Sequence, residues 1–159
     1  MESVVWANAG HSNRIFGLKF INDDPNVLIS GGWDGNIFFW DMREKNSIAS
    51  ICGPAISGDS LDYKKNMILT GSHRSQEQLQ LWDYNKKEKL RDINWETDKR
   101  VEGVHIYGAQ FSKLNDESIF AGSSGKNEVK LFDLKDNTKV FSSVSGLKKG
   151  VYSIDYGNS

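Results

Sequence analysis

This sequence predicts an all-β fold built from one repeated four-stranded unit. Three observations carry that expectation: composition, a repeat of about 45 residues, and strand patterns that recur in the same order within each repeat. Only 2 prolines, 15 glycines and 18 aromatic residues in 159 suit many short strands joined by tight turns. A helix has little support. In the window from Asn85 to Arg100, Leu90 and Ile93 stand at helical spacing, but Asn94 and Thr97 break the stripe and Trp95 falls off it.

The first strand family is the pattern β-branched, aromatic, small, then a polar residue before a final aromatic. It occurs in Arg14 to Phe20, His105 to Phe111 and Gly150 to Tyr156, with Ser57 to Tyr63 as a weaker copy. The closing aromatics Phe20, Tyr63, Phe111 and Tyr156 lie 43, 48 and 45 residues apart. A second family follows, apolar and closing on a small residue and Gly: Val27 to Gly31, Met67 to Gly71 and Ser118 to Gly122. The third comprises Asn36 to Asp41, Gln78 to Asp83 and Glu128 to Asp133. There Ile37/Phe39, Leu79/Leu81 and Val129/Leu131 alternate at period two, so the same sheet face is expected to be buried each time. Ser47 to Ile51, Lys89 to Trp95 and Thr138 to Val144 are more polar and read as outer, water-facing edges. Four short antiparallel strands per unit, with faces buried against neighbouring units, describe a propeller blade.

Gly10-His11, 28 intervening residues and Trp40-Asp41, together with SGGWDGNIFFWD from Ser30 to Asp41, resemble the glycine-histidine to tryptophan-aspartate signature of the WD-repeat propellers. The resemblance spans the chain. It is strongest in the first unit, clear in the second, and weaker in the third, where Phe132-Asp133 replaces Trp-Asp. It implies one single-domain propeller region over residues 1–159, with blades near 10–53, 54–96 and 101–146 and flanking strands at 3–7 and 150–156. It further implies a structural relay joining Trp40, Ser30, His11 and Asp34; the second unit keeps Thr70 and Trp82 but has Cys52-Gly53 in place of Gly-His and Arg74 near the expected Asp. The first blade alone is then expected to be cross-braced, and the others to rely on packing. The resemblance also places Arg14, Phe16, Trp33, Asp59, Arg74, His105, Tyr107 and Tyr152 on one rim around the central channel. Exposed aromatics with an Arg are the composition of a protein-binding hot spot.

Three blades and a fraction fall short of the 4 to 8 from which propellers close. The open faces would be completed by further length of a longer chain, by a partner chain, or by a second copy, a homo-oligomer through the open blade faces. Net charge is −1, so the footprint of a nucleic-acid or membrane-surface binder is missing from the composition. The single Cys52 cannot form an internal disulfide, Asn-x-Ser/Thr acceptors are missing, and the N-terminal stretch is unlike a signal peptide. An intracellular protein is expected, cytoplasmic first, with nuclear or ciliary settings as alternatives.

Chemical motifs reduce to structural readings. His11, His73 and His105 lack metal-ligand spacing with Cys52 or one another, so no metal or cofactor is expected. Ser30, His11 and Asp34 superficially form a nucleophilic set, but buried bracing leaves them no substrate. Gly122 to Asn127 fails the phosphate-loop pattern, whose first Gly would fall on Phe120, and reads as a hairpin turn. Lys86, Lys87, Lys89 and Arg91 are interrupted by Glu88 and Asp92 and read as a solvated edge. The expected function is a non-enzymatic scaffold mediating protein–protein interaction within a larger assembly. The alternative is a regulatory or substrate-recruiting propeller portion of a larger ciliary, cytoskeletal or ubiquitin-type complex.

Overall fold

The computed structural model describes residues 10–95, 103–114, 117–136 and 139–155. Twelve strands run through them, with no helix among the described residues. The first sheet contains β1 (Ile15–Ile21), β2 (Asp24–Gly32), β3 (Asn36–Asp41) and β4 (Ser47–Cys52); the second contains β5 (Leu61–Lys64), β6 (Met67–Gly71), β7 (Leu79–Asp83) and β8 (Glu88–Asp92). The third holds β9 (His105–Phe111), β10 (Ser118–Ser124), β11 (Val129–Asp133) and β12 (Lys139–Val144). Each sheet is an antiparallel meander in sequence order. The register shifts at the same place in all three, between Phe39 and Trp40, Leu81 and Trp82, and Leu131 and Phe132. Such a bulge adds twist to the outer strand.

The period-two pattern explains the layering. Ile29, Ile37 and Phe39 of the first sheet close on Tyr63, Ile68 and Trp82 of the second. Leu69, Leu79 and Leu81 of the second close on Phe111, Ile119 and Phe132 of the third. Inner strands β1, β5 and β9 neighbour one another in turn, whereas β4, β8 and β12 have exposed stretches at the outside. This is the all-β, radially stacked arrangement of a partial WD-repeat propeller.

A joint repeats between blades. Gly31 receives Ile56, Gly71 receives Ile106 and Gly122 receives Val151; a Cβ at these glycines would meet those side chains at 2.3, 2.6 and 2.4 Å. Beside each notch, the N–H of the incoming residue donates to the next carbonyl: Ile56 to Gly32 at 3.1 Å, Ile106 to Ser72 at 3.0 Å and Val151 to Ser123 at 3.1 Å. Only glycine leaves the room this approach needs.

Several expectations change. Ser57 to Ser60 do not extend β5, because Asp59 bonds sideways to the third blade: its carbonyl accepts the Ala109 N–H at 3.0 Å. The outer strand of the second blade ends at Asp92, since Ile93 and Trp95 turn inward and are 2 % and 4 % exposed. Gly150 to Asp155 docks on the third blade without forming a strand. Residues 3–7, the expected outer strand of a preceding blade, and Tyr156 lie outside the described residues.

Candidate docking rim

A meander places the entries to β1, β5 and β9, and the turns β2–β3, β6–β7 and β10–β11, at one end of the molecule. The first blade fixes two of these loops through a buried relay. The Trp40 indole can only donate, so Ser30 Oγ accepts its Nε1–H at 2.7 Å. The Ser30 hydroxyl hydrogen is then available to His11 Nε2, 2.8 Å away, and Nδ1–H donates to Asp34 Oδ2 at 2.8 Å. Asp34 also accepts the backbone N–H groups of Ser12 and Asn36. The His11 and Asp34 side chains are 3 % and 2 % exposed, and Phe38 packs edge-on against the imidazole. Four buried polar groups are satisfied by one another, a bracing arrangement with no exposed nucleophile.

The relay holds the 10–14 loop against the 33–35 turn, and the Trp33 N–H donates to the Arg14 carbonyl at 3.1 Å. On this base Trp33 is 43 % exposed. Its ring stands 5.0 Å from Phe16 and 5.9 Å from His73, with the Arg14 guanidinium 5.6 Å from its centroid. A second cluster joins Tyr107 to Tyr152 at 5.2 Å and to His105 at 6.5 Å. Tyr107 and Tyr152 each follow a notch-filling residue, Ile106 and Val151, by one position, and after Ile56 that place is held by Ser57, which is 3 % exposed. Asp59 is exposed and accepts Ser153 Oγ–H at 3.2 Å. Arg74 is exposed and reaches over Gly35, where a Cβ would stand 3.1 Å from its guanidinium. The rim residues therefore form one cluster around Trp33 and another around Tyr107, with Asp59 and Arg74 flanking them.

The structure brings together residues that the sequence left apart. His73 completes the first cluster; its signal was its place in Gly71-Ser72-His73, equivalent to Gly31-Gly32-Trp33. In the second blade the pair kept in the sequence is bonded, Trp82 Nε1–H to Thr70 Oγ1 at 3.0 Å, and Gly53 faces the Trp82 ring as Gly10 faces that of Trp40. The expectation that the third blade relies on packing alone is overturned. Trp95 Nε1–H donates to Glu128 Oε1 at 2.7 Å, and Lys130 Nζ lies 2.8 Å from the Trp95 carbonyl and 3.3 Å from Glu128. A lysine that is 8 % exposed needs such partners for its charge. Lys87 also departs from a solvated edge: its ammonium sits 4.1 and 4.0 Å from the Phe39 and Tyr84 ring centroids, and burial lowers its pKa. Arg91 crosses to the third blade by donating to the Leu134 carbonyl at 2.9 Å. Among the described residues, no group of three or more His, Cys, Asp or Glu side chains is placed to hold a metal ion.

No family model matches the chain. It is 24 % identical to protein transport protein SEC31 of Dictyostelium discoideum, over 98 % of this chain and 12 % of that protein. It is 25 % identical to the ribosome biogenesis protein WDR12 homolog of Aedes aegypti, over 94 % of this chain and 34 % of that protein. The chain thus spans between about an eighth and a third of these relatives' length. In fold it is similar to the crystal structure of the computationally designed Ika4 protein, with a TM-score of 0.72 and 19 % identity, covering 99 % of this chain and 89 % of that one. Three stacked four-stranded blades, the Gly-His to Trp-Asp spacing and low-identity similarity to WD-repeat proteins across nearly the whole length agree: the chain has the fold and the repeat signature of a WD-repeat propeller.

Proposed function

We propose that this chain is a non-enzymatic scaffold that docks protein partners within a larger assembly through the rim centred on Trp33. One observation carries the reading: an exposed Trp, flanked by Phe16, His73 and Arg14, rests on two loops that the buried relay holds in place. A preorganised aromatic with an Arg loses little conformational freedom on binding, which is what hot-spot residues need. The relatives' names, protein transport and ribosome biogenesis, belong to intracellular processes and support an intracellular setting. The relatives' greater length supports a propeller that works as one portion of a larger protein or complex.

The test compares the chain with its Phe16→Ala/Trp33→Ala variant as bait in cell extract. Loss of hot-spot residues at about 2 kcal/mol or more each should lower recovery of specific partners by more than about tenfold. Equal recovery by both baits would defeat the rim as the docking site.

A further inference from the structure

At the rim end of the molecule the acidic side chains are compensated from within the chain and the arginines are not. Each carboxylate described there has a partner. Asp34 is bonded to His11 at 2.8 Å, Glu77 and Asp92 share Lys89 at 3.4 and 3.1 Å, Glu128 lies 3.3 Å from Lys130 Nζ, and Asp59 accepts the Ser153 hydroxyl at 3.2 Å. Three arginines are exposed among the described residues, and they differ by end. At the opposite end Arg43 closes on the Asp41 carboxylate through Nε at 2.8 Å and Nη2 at 2.6 Å. At the rim, Arg14 and Arg74 form no ion pair with a described carboxylate. Both belong to the Trp33 cluster: the Arg14 guanidinium is 5.6 Å from the ring centroid, and Arg74 reaches over Gly35 in the same turn. The third blade adds exposed Lys126 in its β10–β11 turn and exposed Lys148 and Lys149 just before Gly150, which packs on Ser124.

We propose that the partner segment seated on this rim is an acidic peptide, with an apolar side chain against Trp33 and Phe16 and Asp or Glu carboxylates on Arg14 and Arg74. The inference rests on the reading of the rim as the docking site and adds the chemistry of what docks. A guanidinium presents a planar fork of donors that matches a carboxylate, and such charge-assisted pairs are stronger and more directional than those of a lysine. Arg43 shows the pairing within this chain; Arg14 and Arg74 hold the same group out beside an exposed ring. An apolar residue flanked by acidic ones meets both features at once, and clustered arginines are a recurring device for acidic motifs. A nucleic-acid strand fits less well, because the chain's net charge of −1 supplies no broad positive field along a phosphate backbone. The lysines of the third blade extend the positive end and steer an acidic segment toward it.

A synthetic library of random peptides about ten residues long, selected on the full chain at about 0.1 M salt, tests the proposal. The recovered peptides should be enriched in Asp and Glu beside an apolar residue. One such acidic peptide, labelled for fluorescence anisotropy, should bind Arg14→Glu/Arg74→Glu more weakly than the parent chain by about tenfold or more. The neutral pair Arg14→Gln/Arg74→Gln should weaken it in the same direction, and Lys45→Glu/Lys86→Glu, an equal charge change at the opposite end, should leave it unchanged. Melting temperatures equal to that of the parent chain show that each variant is folded. Peptides that require Phe16 and Trp33 but carry no acidic bias would overturn this inference and leave the rim as a docking site. An acidic peptide bound equally by the parent chain and both arginine variants would do the same. Peptides bound as well by Phe16→Ala/Trp33→Ala would overturn the rim reading itself. Failure to recover any peptide, or tighter binding of labelled oligouridine than of the acidic peptide, would also overturn the proposal.

Discussion

Ser30→Ala is the sharpest perturbation of the first blade because one hydroxyl serves two partners. Its Oγ accepts the Trp40 indole N–H at 2.7 Å and meets His11 Nε2 at 2.8 Å, and Ser30 is 1 % exposed. Alanine strands a buried donor and a buried acceptor together, and each unsatisfied group costs about 1 to 3 kcal/mol. Ser30→Ala should therefore lose about 2 to 6 kcal/mol, whereas Trp40→Phe, which leaves the Ser30 hydroxyl its bond to His11, should lose less than Ser30→Ala from this source. The double variant should lose less than the sum of the two by about 1 kcal/mol, because both remove the same bond. Urea unfolding, compared at unchanged m-value, measures all three. A loss below about 0.5 kcal/mol for Ser30→Ala, or strict additivity in the double variant, would refute the idea that these groups act as a unit. Partner recovery by the Ser30→Ala bait should also fall, since the relay positions the loops that carry Arg14 and Trp33.

Three other outcomes follow from the same geometry. Gly31→Ala places a Cβ 2.3 Å from Ile56 Cδ1, so urea unfolding should show a loss of about 1 to 3 kcal/mol, partly recovered by Ile56→Ala, which vacates the space. Lys130→Met leaves Glu128 charged and partly buried beside Trp95 and should cost about 2 to 4 kcal/mol; adding Glu128→Gln should recover part of it, as a double-mutant cycle would show. Burial, then the hydrogen bond given to Asp23, pushes the Tyr63 phenol up from 10.0 to about 12. The folded chain thereby favours the neutral phenol: that stabilisation is complete below pH 10.0 and is lost as pH rises through about 12. Ultraviolet titration of wild type against Tyr63→Phe checks this, and a folded-state phenolate appearing near pH 10.0 would contradict it.

Much of the architecture was legible because its causes are local. Alternation in Ile37/Phe39 and Leu79/Leu81 dictates which face is buried, and those four side chains are all 1 % exposed or less. The His11, Ser30, Asp34 and Trp40 relay was reachable only through the resemblance, since nothing local says that residues 10, 19 and 23 positions apart meet. What escaped depends on contacts between blades. Trp95, Glu128 and Lys130 are 33 and 35 residues apart across a junction, and a lysine in an alternating strand reads as solvent-facing until a carbonyl and a carboxylate are placed beside it. Ser57 to Ser60 kept a strand-like pattern but were drawn to the third blade by Asp59. Lys87 read as an edge charge because the Phe39 ring beneath it comes from the first blade. Among the rim residues, the resemblance supplied Trp33 and Phe16 but not His73, whose ring joins them only across the first junction.

Crosslinking from the two ends of the molecule shows which end meets a partner. A photo-reactive benzoylphenylalanine at position 33 samples the rim, and one at exposed Lys86, in the β7–β8 turn at the opposite end of the meander, is the control. Irradiation in cell extract should join a discrete partner protein to the chain labelled at position 33 and not to the one labelled at position 86. Adducts formed only at position 86, or in equal yield from both ends, would contradict a docking surface built around Trp33.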